Sequence, residues 1–344
     1  MVKNPAPHIS PTRLAALWIS GLCLVILISA MLIAAEINRQ QQVFDEVADK
    51  LALSVQDKLA TSEAILTAFT TLLENIDPAD RAAANRFAAA QIAAAPHVYM
   101  LEVARQVRLE EIPAFEAAVR RQGHANFKVK NFADITERSS LSQQLSETTW
   151  PIVFMYPRLA KAEAIYGVRL ETVDYLTHPL AIARQSGKAV ASPVFEMYEG
   201  GRAYILLQTV KHGGDAGSPN IFGGMMVAML LLKTDALMPP EIEHPLGQHI
   251  GFFATLHAAG QAPSPLFVKT SSTTGWTDQW FLPHWRKEVR IDNQSQPTTL
   301  EFDLQLRWSD VLAQTKGAIA ALLVIVLLAL TVITWRYRQS QVAN

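Results

Sequence analysis

Two uncharged apolar runs bracket this chain and restrict what it can fold into. The first, residues 14–35 (LAALWISGLCLVILISAMLIAA), carries no charge over 22 residues, and the second, residues 317–335 (GAIAALLVIVLLALTVITW), repeats the pattern near the other end. As a helix the first run would be about 33 Å long, enough to cross a hydrocarbon core of about 30 Å. Small residues at 28–30 and 33–35 would suit a leader cleavage site. The run nevertheless exceeds the roughly 7–15 apolar residues of a cleaved leader, so an uncleaved anchor is expected. Residues 36–316 are polar and varied enough to fold in water. The expected molecule is a folded body tethered at both ends to one membrane.

Charge sets the orientation and excludes some partners. Lysine plus arginine number 30 against 31 acidic residues, and no basic stripe interleaves with aromatics, so nucleic acid is not an expected partner. Lys3 and Arg13 precede the first run, Arg336 and Arg338 follow the second, and Glu36 stands at the other end of the first. The positive-inside rule then puts both termini in the cytoplasm and the body in the periplasm or outside the cell, on an inner (plasma) membrane with two spans. The single cysteine, Cys23, lies inside the first run. An internal disulfide is excluded, and the body must be held by its own core.

Between the runs the periodicity changes twice. Residues 36–76 contain no Gly or Pro, and Val43, Val47, Leu51, Val55, Leu59, Ile65, Leu66, Phe69, Leu72 and Leu73 recur near the helical period. A helix of about 60 Å is expected there, either as the core helix of one domain or as a dimer stalk. Further helices are expected over 79–95, 108–123 and 177–187, the last with Thr177 as N-cap and Gly187 as C-cap. Alternating or apolar stretches predict strands at 98–107, 126–132, 150–157 (as a central strand), 165–170 and 221–232. A hairpin is expected around Tyr198–Gly201 and a loop over 213–220. Weaker strands follow at 265–271, 287–292 and 298–308. The class is α+β, an antiparallel sheet with helices.

No catalytic constellation stands out. There is no HExxH, no cysteine pair, no GxSxG elbow, and the glycine-rich stretch 213–224 lacks the lysine and hydroxyl of a phosphate loop. His244 and His249 are five apart, the wrong spacing for one helical face. No enzyme activity, catalytic residue, metal or cofactor is expected.

The segments PAFEAAVRRQGHANFKV (113–129), WPIVFMYP (150–157), IYGVRLET (165–172) and HPLAIARQSGKAVASPVF (178–195), with the hairpin that follows, occur in an order and spacing that resemble the CHASE family. CHASE is the extracellular sensory domain of many bacterial receptors and of plant cytokinin receptors, and the likeness spans about residues 85–234. The resemblance implies a long stalk helix with tandem PAS-like antiparallel-sheet subdomains, flanked by two transmembrane helices, usually as a homodimer. The implied division is a cytoplasmic tail (1–13), a span (14–35), a stalk helix (36–76) and a CHASE-like sensory region with two PAS-like subdomains (77–260). Membrane-proximal strands and linker (261–316), a second span (317–335) and a second tail (336–344) complete it. The resemblance also implies a small-molecule pocket in the membrane-distal subdomain, walled by Phe154, Tyr156, Arg169, Ser192, Tyr204 and Leu206. Ser192 matches a position at which the plant receptors use a hydroxyl in ligand recognition.

Departures from the family pattern sharpen these expectations. Where the family has G-x-D, this chain has Gly167-Val168-Arg169, and arginine can only donate hydrogen bonds. If Arg169 faces the pocket the ligand is expected to be anionic; if it pairs with Glu171 or Glu163 it binds nothing. YMLEVARQV (99–107) stands where relatives place a tryptophan and a proline. After the second span only RYRQSQVAN follows, where CHASE receptors continue into an output module. The first expected function is therefore a membrane-anchored sensor that binds a small ligand and signals through the second span, as a truncated receptor or through a separate signalling partner. The alternative is a non-enzymatic accessory or scaffold subunit of a larger membrane complex, with foreign membrane subunits contacting small residues such as SGLC (20–23) and GAIAA (317–321).

Overall fold

The structure is a computed structural model describing residues 11–135, 147–197, 200–212, 220–239, 245–272 and 274–342. The first ten residues, Tyr198 and Glu199 of the expected hairpin turn, residues 213–219 of the expected loop, His244 and the last two residues of the C-terminal tail lie outside the described residues. In chain order, α1 (Pro11–Asn75) is followed by α2 (Arg81–Ala94), β1 (Val98–Arg105), β2 (Val107–Arg108), α3 (Ile112–Arg121), β3 (Thr148–Thr149) and β4 (Ile152–Tyr156). Then come α4 (Asp174–Ser186), β5 (Val190–Ala191), β6 (Phe195–Glu196), β7 (Arg202–Lys211), β8 (Met225–Lys233) and α5 (Thr234–Leu237). The last part holds β9 (Gly251–Leu256), β10 (Ser264–Lys269), α6 (Trp276–Phe281), β11 (His284–Ile291), β12 (Thr298–Gln305) and α7 (Trp308–Val342).

Helix α1 is unbroken over 65 residues, a length of about 98 Å. Its character changes near Glu36. Upstream, Ile19, Leu22, Ile26, Leu27 and Met31 point outward and are exposed; downstream, Phe44, Ala48, Val55, Leu59, Leu66, Phe69 and Leu73 are buried. In α7, Val324, Ile325, Leu328 and Val332 are likewise exposed. Both helices are long and apolar enough to cross a membrane, and their most apolar windows are only 6% buried, unlike the core helix of a soluble domain. The two runs pack on each other. Gly21 makes this approach possible, since a Cβ there would lie 3.2 Å from Leu330 Cδ1. The small residue in SGLC thus meets a helix of its own chain, while a Cβ at Gly317 would meet nothing within 4 Å.

Between these helices lies a β-rich core of two main antiparallel sheets. The larger has the order β4-β1-β8-β7-β5, with β6 also paired to β7; the smaller has the order β10-β9-β12-β11. The strands β2 and β3 form a separate small ladder. The lower part of α1 lies against the smaller sheet, where Phe44 meets Trp285 (6.0 Å between centroids) and Lys287 Nζ bridges Asp49 (2.9 Å) and Asp45 (3.6 Å). Its upper part lies against the larger sheet, where Phe69 stacks on Phe87 and meets Phe154. Residues 36–75 are thus a core helix shared by both sheets. The sheets touch through the Arg202 Nη2 bond to Pro265 O (2.6 Å) and the Ala191 N–H bond to Ser295 O (3.2 Å). Strand β9 pairs with both β10 and β12, so the boundary expected at 260/261 passes through the smaller sheet.

Several local expectations change. The stretch WPIVFMYP forms β4, the last strand of the larger sheet rather than a central one; it pairs with β1 on one side, and on the other the irregular chain 167–170 bonds to it, Ile152 N–H to Val168 O and Gly167 N–H to Ile152 O. The expected strands 126–132 and 165–170 are instead irregular chain with 3-10 turns at Phe132–Asp134, Ala162–Ile165 and Leu170–Thr172, joined by the single bridge Lys130–Val168. Gly167 explains this. Its φ of +82° breaks the extended run, and a Cβ there would collide with the carbonyl oxygen of Lys128. Helix α4 begins at Asp174 rather than at Thr177, whose hydroxyl lies inside the helix and donates back to Val173 O (3.1 Å). Gly187, with φ +67°, ends it as expected.

Candidate functional site

The larger sheet has one face on α1 and one face turned away. On the second face the segment 162–176 crosses the strands and roofs a cavity of about 50 Å³. Glu102 (β1), Ile152 (β4), Ile205 (β7) and Leu231 (β8) form its floor, while Ile165, Val168, Leu170 and Val173 form the roof. Phe132, Tyr175 and Phe195 are its aromatic walls. Tyr175 and Phe195 stack at 4.0 Å between centroids and 15° between planes, and Phe132 meets Tyr175 edge-on. Such a lining is apolar apart from the carboxyl of Glu102 and the hydroxyl of Tyr175. Glu102 is 2% exposed. A carboxylate this far from water keeps its charge only where hydrogen bonds or a positive group compensate the lost solvation.

A β-bulge decides which residues reach the cavity. In the ladder of β1 with β4, Val103 opposes Phe154 but Ala104 opposes Ile152, so Val153 is an extra residue and the strand's facing reverses across it. Ile152 therefore enters the cavity while Phe154 turns to α1, packing on Phe69 (6.3 Å) and Phe222 (5.6 Å).

None of the six sequence-predicted pocket residues lines this cavity. Phe154 faces α1, and half-buried Tyr156 ends β4 opposite Leu101. Tyr204 lies on the α1 face, where its hydroxyl donates to Gln296 Oε1 (2.5 Å) and Gln296 Nε2 in turn donates to Leu59 O (3.2 Å). Burial pushes this phenol well above the ordinary tyrosine range. Leu206, two residues on, shares that face. Ser192 is fully buried, with its hydroxyl accepting from Ile205 N–H (2.9 Å) and donating to Pro193 O (2.9 Å). Arg169 donates from Nε to Thr149 Oγ1 (2.8 Å) and Glu171 Oε1 (3.0 Å) and from Nη1 to Asn131 Oδ1 (3.1 Å). Of the two arrangements open for Arg169, the structure has the pair with Glu171.

The cavity residues missed from sequence are Glu102, Phe132, Tyr175 and Phe195. Glu102 had a signal, a lone acid inside the apolar run VYMLEVA, where an outward-facing position would normally carry the charge. The three rings had none, since they come from a 3-10 turn, a helix start and a two-residue strand. A second buried cluster lies at the start of α2, where Arg81 contacts His124 Nε2 and the Tyr166 hydroxyl (3.4 Å), and Tyr166 donates to Val153 O (2.5 Å). Among the described residues no group of acidic, histidine or cysteine side chains is arranged to hold a metal.

An α+β body with a small apolar cavity on its sheet, carried between two long apolar helices, has the form of a membrane-tethered sensory domain. The sequence pattern described as the CHASE domain matches residues 77–262, more than half of the chain, and this chain belongs to the CHASE-domain family. Family membership and the two candidate spans support an extracytoplasmic sensory role. The match begins at Asp77, directly after α1, and ends beyond β9. No curated protein matches. Among solved structures, an extracellular ligand binding receptor from Desulfohalobium retbaense DSM5692 is similar at 10% identity and a TM-score of 0.45, covering 76% of this chain. The likeness spans 40% of that receptor's length.

Proposed function

We propose that the chain is a membrane-anchored extracytoplasmic sensor, with its two sheets acting as PAS-like subdomains and its ligand held in the cavity over Glu102. The observation that carries this reading is the carboxyl of Glu102, buried on the floor of the cavity beside the Tyr175–Phe195 stack. A carboxyl group in an apolar cavity favours a ligand with a cationic or N–H donor group and an apolar body, because a buried anion would find no positive partner among the cavity's lining. Arg169, held by Glu171, Thr149 and Asn131, gives no support to the anionic ligand expected from sequence. The space admits only a group of a few heavy atoms, against about 300–1,000 Å³ for ordinary ligand sites. A larger ligand has to part the Tyr175–Phe195 stack. Ligand binding would then act on segment 162–176 and β7, and through the Arg202–Pro265 bond on the smaller sheet, whose last strand runs into α7. Only the difference in affinity between two packings can drive such a change.

Thermal unfolding of the full-length protein in detergent, screened against small amines and small carboxylates, tests the reading. Amines are expected to raise the melting temperature, and Glu102→Gln is expected to abolish that rise while itself melting as a folded protein. Stabilisation confined to carboxylates, or an amine effect retained by Glu102→Gln, would overturn it.

A further inference from the structure

Helix α6 presents three large apolar side chains to the outside: Trp276, Trp280 and Phe281 are 72%, 81% and 68% exposed. Its acidic residue turns the other way. Asp278 accepts the N–H of Gly275 (3.1 Å) and, through Oδ1, that of Trp308 (3.1 Å), the first residue of α7. Gln305 Nε2 reaches back to Asp278 O (3.0 Å) and Leu282 O (3.2 Å). Leu282, next after Phe281, forms a buried cluster with Leu306 and Val311, against which Ile33 and Ile37 pack. Ile33 belongs to the first apolar run and Val311 to the first turn of α7, so α6 is fixed beside the end of both candidate spans.

We propose that α6 is an interfacial anchor, with Trp276, Trp280 and Phe281 immersed among the lipid headgroups and upper acyl chains on the body's side of the bilayer. The proposal rests on the reading of α1 and α7 as membrane spans. Lipid is the occupant the observations favour because Leu282, at the end of α6, packs with Val311 of α7 against Ile33 at the end of the first apolar run, which sets the patch beside the candidate spans. Tryptophan, with an apolar ring and one N–H, is moreover the side chain best matched to the membrane interface. A soluble domain has no reason to expose three such rings on six residues. The anchor would set the height and roll of the smaller sheet over the membrane.

Depth measurement by nitroxide labelling in full-length protein reconstituted in phosphatidylcholine–phosphatidylglycerol vesicles tests this, on a Cys23→Ser background with one new cysteine at a time. Position 280 reports the anchor, 325 in α7 reports the span, and 292, just past the far end of β11 and about 27 Å beyond its start, reports the aqueous side. Collision with oxygen relative to a water-soluble nickel chelate is expected to be severalfold higher at 280 than at 292, and highest at 325. A water-like label at 280 with a lipid-like label at 325 would overturn the anchor alone. A water-like label at 325 would overturn the span reading and the anchor with it. A label at 280 shielded from both reagents and broadened by a nearby label would mean a second copy covers the patch, which also overturns it. Without any label, Trp276→Ser/Trp280→Ser is expected to lose part of the tryptophan quenching by acyl-brominated lipid shown by the seven-tryptophan wild type; equal quenching would count against immersion.

Discussion

Acidification is expected to weaken the sensory body through His124. This imidazole is 6% exposed, contacts Arg81 through Nε2, and lies 4.9 Å from the ring of Tyr166. Burial, then the positive charges of Arg81 and Arg158, hold its pKa down at about 4, with Glu163 opposing. An unfolded histidine titrates near 6.5. Between these values the unfolded chain binds a proton that the folded chain refuses, so stability is whole above about pH 6.5 and falls as the pH drops toward 4. At pH 5 the loss from this group works out at about 2 kcal/mol relative to pH 7, rising to about 3 kcal/mol below pH 4. Urea unfolding of the detergent-solubilised protein at pH 7 and pH 5, for wild type and His124→Phe, isolates the group because every other titrating residue is common to both. The phenyl ring keeps the contact with Tyr166 and cannot titrate. The wild type is expected to lose about 2 kcal/mol more than the variant between the two pH values. Equal losses would refute the reasoning.

Two further substitutions have definite expected outcomes. Gly167→Ala places a Cβ against the Lys128 carbonyl at positive φ, and an expected cost of about 2–4 kcal/mol would appear as a lower urea midpoint with unchanged slope. Arg169→Ala leaves Glu171 and Thr149 without a shared donor and should cost about 1–2 kcal/mol. The stabilisation by small amines expected of the wild type should survive it, which calorimetric titration of the variant would check.

Periodicity, apolar runs and turn signals made the long elements legible. The two apolar runs and the helix after Glu36 satisfy one pattern over eighteen or more residues, and the strands β1, β7, β8, β11 and β12 stand out as apolar or alternating stretches; all are present. Short segments whose conformation is set by tertiary contact were not. Residues 126–132 alternate like a strand, yet the neighbour they need is interrupted at Gly167, and only one bridge forms. The cavity was harder still. Its lining comes from separate strands, 3-10 turns and a helix start, and its facing depends on one extra residue, Val153, that no spacing rule reveals. Tyr204 and Leu206, expected as pocket walls, alternate with the cavity residue Ile205 and so lie under α1, whereas Phe154 reaches that face only through the extra residue Val153. Arg169, the residue that departs most from the family pattern, was legible in its alternative reading as Glu171's partner.

The unbroken course of α1 makes the molecule a lever. From Glu36 to Asn75 the helix reaches about 60 Å beyond the first apolar run without a hinge. A tilt of only about 5° where it leaves that run would therefore sweep Asn75 sideways by about 5 Å, a displacement comparable to one helical turn. Conversely, a rearrangement of that size among Phe69, Phe154 and Phe222 would be geared down to a few degrees at Gly21, where α1 and α7 touch. Lateral movement far from the membrane and a small change of crossing angle within it are two ends of one rigid body.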